Sequence, residues 1–65
     1  MQKYEPMKKL QDLRERENLS RTELAEKANI TYMSILNYER GERFPKREIL
    51  GKLALALNCE VSDII

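Results

Sequence analysis

Two helix beginnings and two helix endings are written into the stretch from Leu19 to Gly41, LSRTELAEKANITYMSILNYERG. Ser20, with Glu23 three residues on, is a capping box, in which the Ser hydroxyl takes the backbone N–H of Glu23 and the carboxylate reaches back to the N–H of Ser20. A helix over about 21–28 follows, with Leu24, Ala25 and Ala28 at helical spacing. Asn29 stands where a left-handed residue stops it, and Ile30 plugs the turn. Thr31 then caps a second helix over about 32–40, its apolar positions Ile35 and Tyr38 and its exit at Gly41. The remaining face of this helix holds Tyr32, Met33, Leu36, Asn37 and Arg40, a mixture unlike an ordinary solvated face, and it reads as a surface that meets a partner.

Sixty-five residues allow a single domain with a modest core, for which dimerisation would be a help. A hydrophobic content of 42% beside 35% charged residues suits amphipathic helices rather than a disordered segment. No apolar run approaches the roughly 20 residues of a membrane span, and the N-terminal residues have no signal-peptide core, so no membrane association and a cytoplasmic location are expected. With one cysteine and no histidine, the usual parts of a zinc site or a catalytic triad are missing, and neither an enzyme nor a cofactor or metal is expected. Net charge is only +1, but residues 37–47 hold Arg40, Arg43, Lys46 and Arg47 against Glu39 and Glu42. If Glu39 is taken up internally, the outward excess there grows.

Residues 1–5 are expected to be a flexible arm, and 6–65 the one domain. Pro6 suits the first turn of a helix over about 6–17, whose stripe is Met7, Leu10 and Leu13. Arg14, beside that stripe, would be partly buried and in need of a carboxylate. Asn18 ends this helix, and Leu19 enters the core. Pro45 forces Phe44 extended and permits a helix over about 46–57, with Leu50, Leu53, Ala54 and Leu57 inward and Phe44 covering the core. Gly51 within it is either a tolerated cost of about 1 kcal/mol or a sign of close packing. Asn58 stops the helix, Cys59 is a small buried hydrophobe, and Val61, Ile64 and Ile65 form a final turn. Together with Leu55 these apolar residues exceed what one small core needs, so Leu55, Cys59, Val61 and Ile65 are read as a dimer surface, or as a face that a further domain covers.

The stretch from Leu19 to Gly41, with Leu10, Leu13-Arg14 before it and Pro45, Leu53-Ala54 and Leu57 after it, resembles the phage repressor and Cro-like helix-turn-helix family over about residues 7–65. The resemblance implies an all-α, compact five-helix domain that binds an operator in double-stranded DNA, usually as a homodimer on a palindromic or pseudo-palindromic site, with the second motif helix in the major groove. It implies base contacts from Tyr32, Met33 and Asn37, with Thr31 and Ser34 close by, and phosphate contacts from Arg21, Arg40, Arg43, Lys46 and Arg47. Tyr32 and Met33 depart from the Gln and Ser frequent in the family, which shifts the expected readout toward thymine methyl groups, while the Asn37 amide suits adenine. It also gives Arg14 its partner, Glu39, at the end of the second motif helix. A sequence-specific transcriptional repressor is the expected function. The alternatives are an antitoxin or restriction-modification controller autoregulating its operon, or a protein-interaction module that has lost its DNA surface.

Overall fold

A computed structural model describes residues 3–65. Four α-helices and one turn of 3-10 helix follow in order: α1 (Lys8–Arg16), α2 (Arg21–Ala28), α3 (Tyr32–Arg40), α4 (Arg47–Ala56) and the turn Val61–Asp63, with no strand among the described residues. The pair α2 and α3 has the bounds expected from the caps, because the Ser20–Glu23 box closes in both directions and Thr31 Oγ1 accepts from the Ser34 N–H. A left-handed residue follows the end of every helix: Asn18, Asn29, Gly41 and Asn58 have φ of 59°, 57°, 78° and 56°. At each, the chain turns sharply and the last carbonyls find new N–H donors, as where Ile30 N–H reaches Ala25 O and Cys59 N–H reaches Ala54 O.

Each element gives one fully buried side chain to the centre: Leu10 from α1, Leu24 from α2, Ile35 from α3, Leu53 from α4 and Ile64 from the end of the C-terminal turn. Met7, Leu13, Ala25, Ala28, Tyr38 and Leu57 close the core around them. Helix α2 packs on both α3 and α4, α1 on α3, and the 3-10 turn on α4. Burying a Leu or Ile side chain contributes about 1.5–3 kcal/mol, so five such residues carry much of what holds so small a domain.

Three details correct the expectations. The fifth helix of the family pattern is here a single 3-10 turn, because Asp63 Oδ2 accepts from the Glu60 N–H, Ile64 N–H closes on Val61 O, and Ile64 drops into the core. Ile64 therefore leaves the apolar C-terminal cluster, which keeps Leu55 and Ile65 exposed and Val61 and Cys59 half-buried. Phe44, expected over the core, is about half exposed and lies against Tyr4, with ring centroids 6.3 Å apart.

The N-terminal residues hold the third. Helix α1 begins at Lys8, two residues after Pro6, because the preceding segment is laid along the end of α3: Met7 N–H donates to Tyr38 O at 3.2 Å, and the N–H groups of Lys3 and Tyr4 both donate to Gly41 O, at 3.0 and 2.8 Å. The expected arm covers Met1 and Gln2, which lie outside the described residues, and residues 3–5, of which Lys3 and Tyr4 are bonded to Gly41 O.

The two glycines have opposite roles. Gly41 combines a positive φ with a site where any Cβ would collide with the backbone of Tyr4 and Pro6, whereas a Cβ on Gly51 would meet nothing within 4 Å. Gly51 is thus a helix cost with no packing reason. Gly51→Ala is expected to raise stability by about 1 kcal/mol, and Gly41→Ala to lower it by at least about 1–2 kcal/mol. Thermal denaturation reads both, at about 4–8 °C per kcal/mol for a domain of this size.

Candidate nucleic-acid interface

The position of α3 is set from its C-terminal end, by Glu39. Its side chain is 1% exposed, and an isolated carboxylate so placed would be strongly disfavoured. Two arginines resolve this. Arg14 on α1 donates through Nε to Oε2 at 2.7 Å and through Nη2 to Oε1 at 3.2 Å, a fork-to-fork pairing, while its Nη1 reaches Leu19 O at 2.8 Å. Arg21, the first residue of α2, donates through Nε to the same Oε1 at 2.9 Å. Helices α1, α2 and α3 therefore meet at one carboxylate, and Arg14 also ties in the approach to α2. The bonds to Glu39 push the Arg14 guanidinium above its ordinary pKa against the opposing effect of burial, so Arg14 stays charged.

Sequence reasoning found the Arg14–Glu39 pair and missed the third member. Arg21 stands directly after a helix cap, where an arginine reads as a free cation. One-third exposed, it spends Nε on Glu39 and makes no other side-chain hydrogen bond among the described residues. Its terminal nitrogens remain open to a phosphate.

The opposite face of α3 is open. Tyr32 and Met33 are exposed, Met33 at 55%, and Leu36 and Asn37 are half-buried beside them. The Asn37 side-chain amide makes no hydrogen bond among the described residues, although its backbone carbonyl takes the N–H groups of Glu42 and Arg43. Thr31 and Ser34 are less free: the Thr31 hydroxyl caps the helix and shares a 2.9 Å hydrogen bond with the Ser34 hydroxyl. Their first function is to start α3. Arg40, Arg43, Lys46 and Arg47 are all exposed, and none is in an ion pair among the described residues. Because Glu39 is consumed internally, this end of α3 carries an unbalanced positive charge. At the start of α2, the Ser20 N–H and hydroxyl hold the Glu23 carboxyl below the usual glutamate range. Burial, chiefly, and then the Asp63 and Glu60 charges push the Cys59 thiol up, so it stays protonated at neutral pH and serves as packing.

An all-helical domain with a capped two-helix motif, an open face on the second helix and cations at its end is of the kind that lays a helix in the DNA major groove. The helix-turn-helix family model matches residues 10–64, and the chain belongs to this XRE-type helix-turn-helix family of DNA-binding transcriptional regulators. Among solved structures, the restriction-modification controller protein C.AhdI from Aeromonas hydrophila is similar, at 29% identity over 89% of this chain and 88% of that chain, with a TM-score of 0.86. No curated protein sequence matches the chain.

Two outcomes follow from this geometry. Arg14→Met, which leaves Glu39 buried with a single arginine, should cost about 3–5 kcal/mol in thermal or denaturant unfolding, and an unchanged midpoint would refute the pairing. Glu23, held charged more easily in the folded than in the unfolded chain, contributes stability that is present above the ordinary glutamate range and is lost as pH falls through its lowered one. Ser20→Ala, which keeps the backbone N–H and removes the hydroxyl, should move the Glu23 titration, followed by NMR, only part of the way back toward the ordinary range and remove about 1 kcal/mol of helix capping.

Proposed function

We propose that the chain is a repressor that occupies a two-fold operator as a homodimer, with α3 in the major groove. The observation that carries this reading is the pairing of an open, chemically specific face with unpaired charge. The free Asn37 amide, Tyr32 and Met33 face outward together, and Arg40, Arg43, Lys46 and Arg47 flank them without a carboxylate partner among the described residues. Asn37 reads adenine by accepting from N6 and donating to N7, and Tyr32 and Met33 favour thymine methyl groups. The cations, with Arg21, hold phosphates and set register without reading sequence. Thr31 and Ser34 add contacts only through what their mutual hydrogen bond leaves open.

The dimer is assigned to the end of the molecule carrying Leu55, 83% exposed on α4, with Ile65, Val61 and Cys59. Exposed aliphatic side chains such as Leu55 and Ile65 gain by being covered by a second copy. No helix among the described residues is long and apolar enough to cross a membrane, and a cytoplasmic protein acting at the nucleoid suits the reading. The likeness to C.AhdI favours one specialisation, a restriction-modification controller that regulates its own operon.

Binding to random duplex DNA at two salt concentrations tests the first part. A steep salt slope is expected, falling in magnitude by about 0.9 for each of Arg40→Ala and Arg43→Ala, and no binding at low salt would sink the proposal. Selection from random oligonucleotides should return sites with a fixed adenine whose preference weakens by about 1–3 kcal/mol in Asn37→Ala. Sedimentation should show dimers on the selected site, and Leu55→Glu should dissociate them. Monomers on a palindromic site would remove the homodimer.

A further inference from the structure

Beside the reading helix, a groove of about 470 Å³ opens between the N-terminal segment and the corner joining α3 to α4. Lys3, Arg43 and Lys46 line it against a single carboxylate, Glu42, and none of the three cations is in an ion pair among the described residues. Lys8, by contrast, is neutralised by Asp12 at 3.1 Å, and Arg14 and Arg21 by Glu39. Three like charges around one groove repel one another, and an anion between them removes that cost.

A second feature points the same way. Tyr38 is 8% exposed and also lines the groove, and its hydroxyl makes no hydrogen bond among the described residues. The ring is buried while the hydroxyl is left accessible, and the groove that Tyr38 lines gives it a polar space in which to bond a ligand. The cations and the phenol together offer N–H and O–H donors to an acceptor-rich, multiply bonded oxyanion, and the rims of Tyr4 and Phe44 give the groove an apolar wall.

We propose that this groove binds a phosphate group, with Lys3 and the Tyr38 hydroxyl completing a site that Arg43 and Lys46 begin. Lys3 lies outside the helix-turn-helix motif. It reaches the groove because its backbone is fastened to Gly41 O, so the N-terminal segment acts as a further anion-contacting element held beside the reading helix. The phosphate is either a diester of the operator backbone, which rests on the DNA binding proposed above, or that of a free phosphorylated small molecule, which does not.

Two variants of the full chain decide the matter. Lys3→Ala removes an exposed side chain while leaving the backbone bond to Gly41, and Tyr38→Phe removes only an unpartnered hydroxyl, so both should melt within about 1 °C of the parent. On random duplex DNA, Lys3→Ala should reduce the salt slope by about 0.9 and Tyr38→Phe should weaken binding several-fold, with the base preference of selected sites unchanged. In the second arm, inorganic phosphate is titrated at constant ionic strength against the chloride control, following backbone amides of Lys3, Tyr4, Lys46 and Ile49. Saturable shifts lost in Lys3→Ala, beside an unaltered DNA slope, support the groove with a free phosphate compound as its occupant. A DNA slope and affinity unchanged in both variants, together with no saturable phosphate shifts, overturn the proposal. A parent protein that binds no DNA sinks the repressor reading, and the phosphate titration then decides the groove alone.

Discussion

The Glu39 carboxylate is the constraint on which the arrangement of helices depends. It is buried at the end of the helix whose other face is open, and it is paired with guanidinium groups from both preceding helices. A buried ion pair adds little net stability compared with well-packed apolar residues, but its directional bonds penalise alternatives that an oily contact tolerates. A rotation of α3 large enough to carry the carboxylate out of reach of Arg14 and Arg21 would strand a buried charge. The orientation of α3 is thus fixed by hydrogen-bond geometry, while cohesion comes from Leu10, Leu24, Ile35, Leu53 and Ile64.

The same carboxylate shapes the surface electrostatics. Removing Glu39 from the outside leaves the exit of α3 with Arg40 and Arg43, followed by Lys46 and Arg47, and little to balance them locally. A chain with a net charge of +1 therefore gathers four exposed cations, none in an ion pair among the described residues, around the connection from α3 to α4. Arg21 belongs to both systems, through Nε to the internal anchor and through its exposed end to solvent, so the scaffold and the charged rim are physically joined at the start of α2.

What was legible in the sequence was whatever local chemistry dictates. Ser20, Glu23 and Thr31 start helices through bonds to their own neighbours, and Asn18, Asn29, Gly41 and Asn58 stop them through their tolerance of the left-handed region, so the bounds of α2 and α3 followed directly. The exposed face of α3 and the Arg14–Glu39 pair were legible through spacing and resemblance. The sharing of Glu39 by Arg21 was not, since nothing local distinguishes a cation that folds inward from one that stays free. Nor was the docking of residues 3–7, because it is made by backbone N–H groups donating to Tyr38 O and Gly41 O, and backbone bonds leave no trace in side-chain pattern. Ile64 and Ile65 are chemically identical neighbours, and only the three-dimensional path sends one inward and the other out.

That docking has a consequence for how the chain comes together in time. The carbonyls of Tyr38 and Gly41 at the end of α3 receive the N–H groups of Lys3, Tyr4 and Met7, which are made earlier, so the last turn of α3 is finished by a distant segment of the chain returning to meet it. Closing so long a loop carries an entropy cost that local helix formation does not, and it is recovered only when the core beneath is in place. During synthesis the N–H groups of Lys3 and Tyr4 lack these partners until Gly41 has emerged, and the end of α3 is completed only when the segment before α1 has been brought back against it.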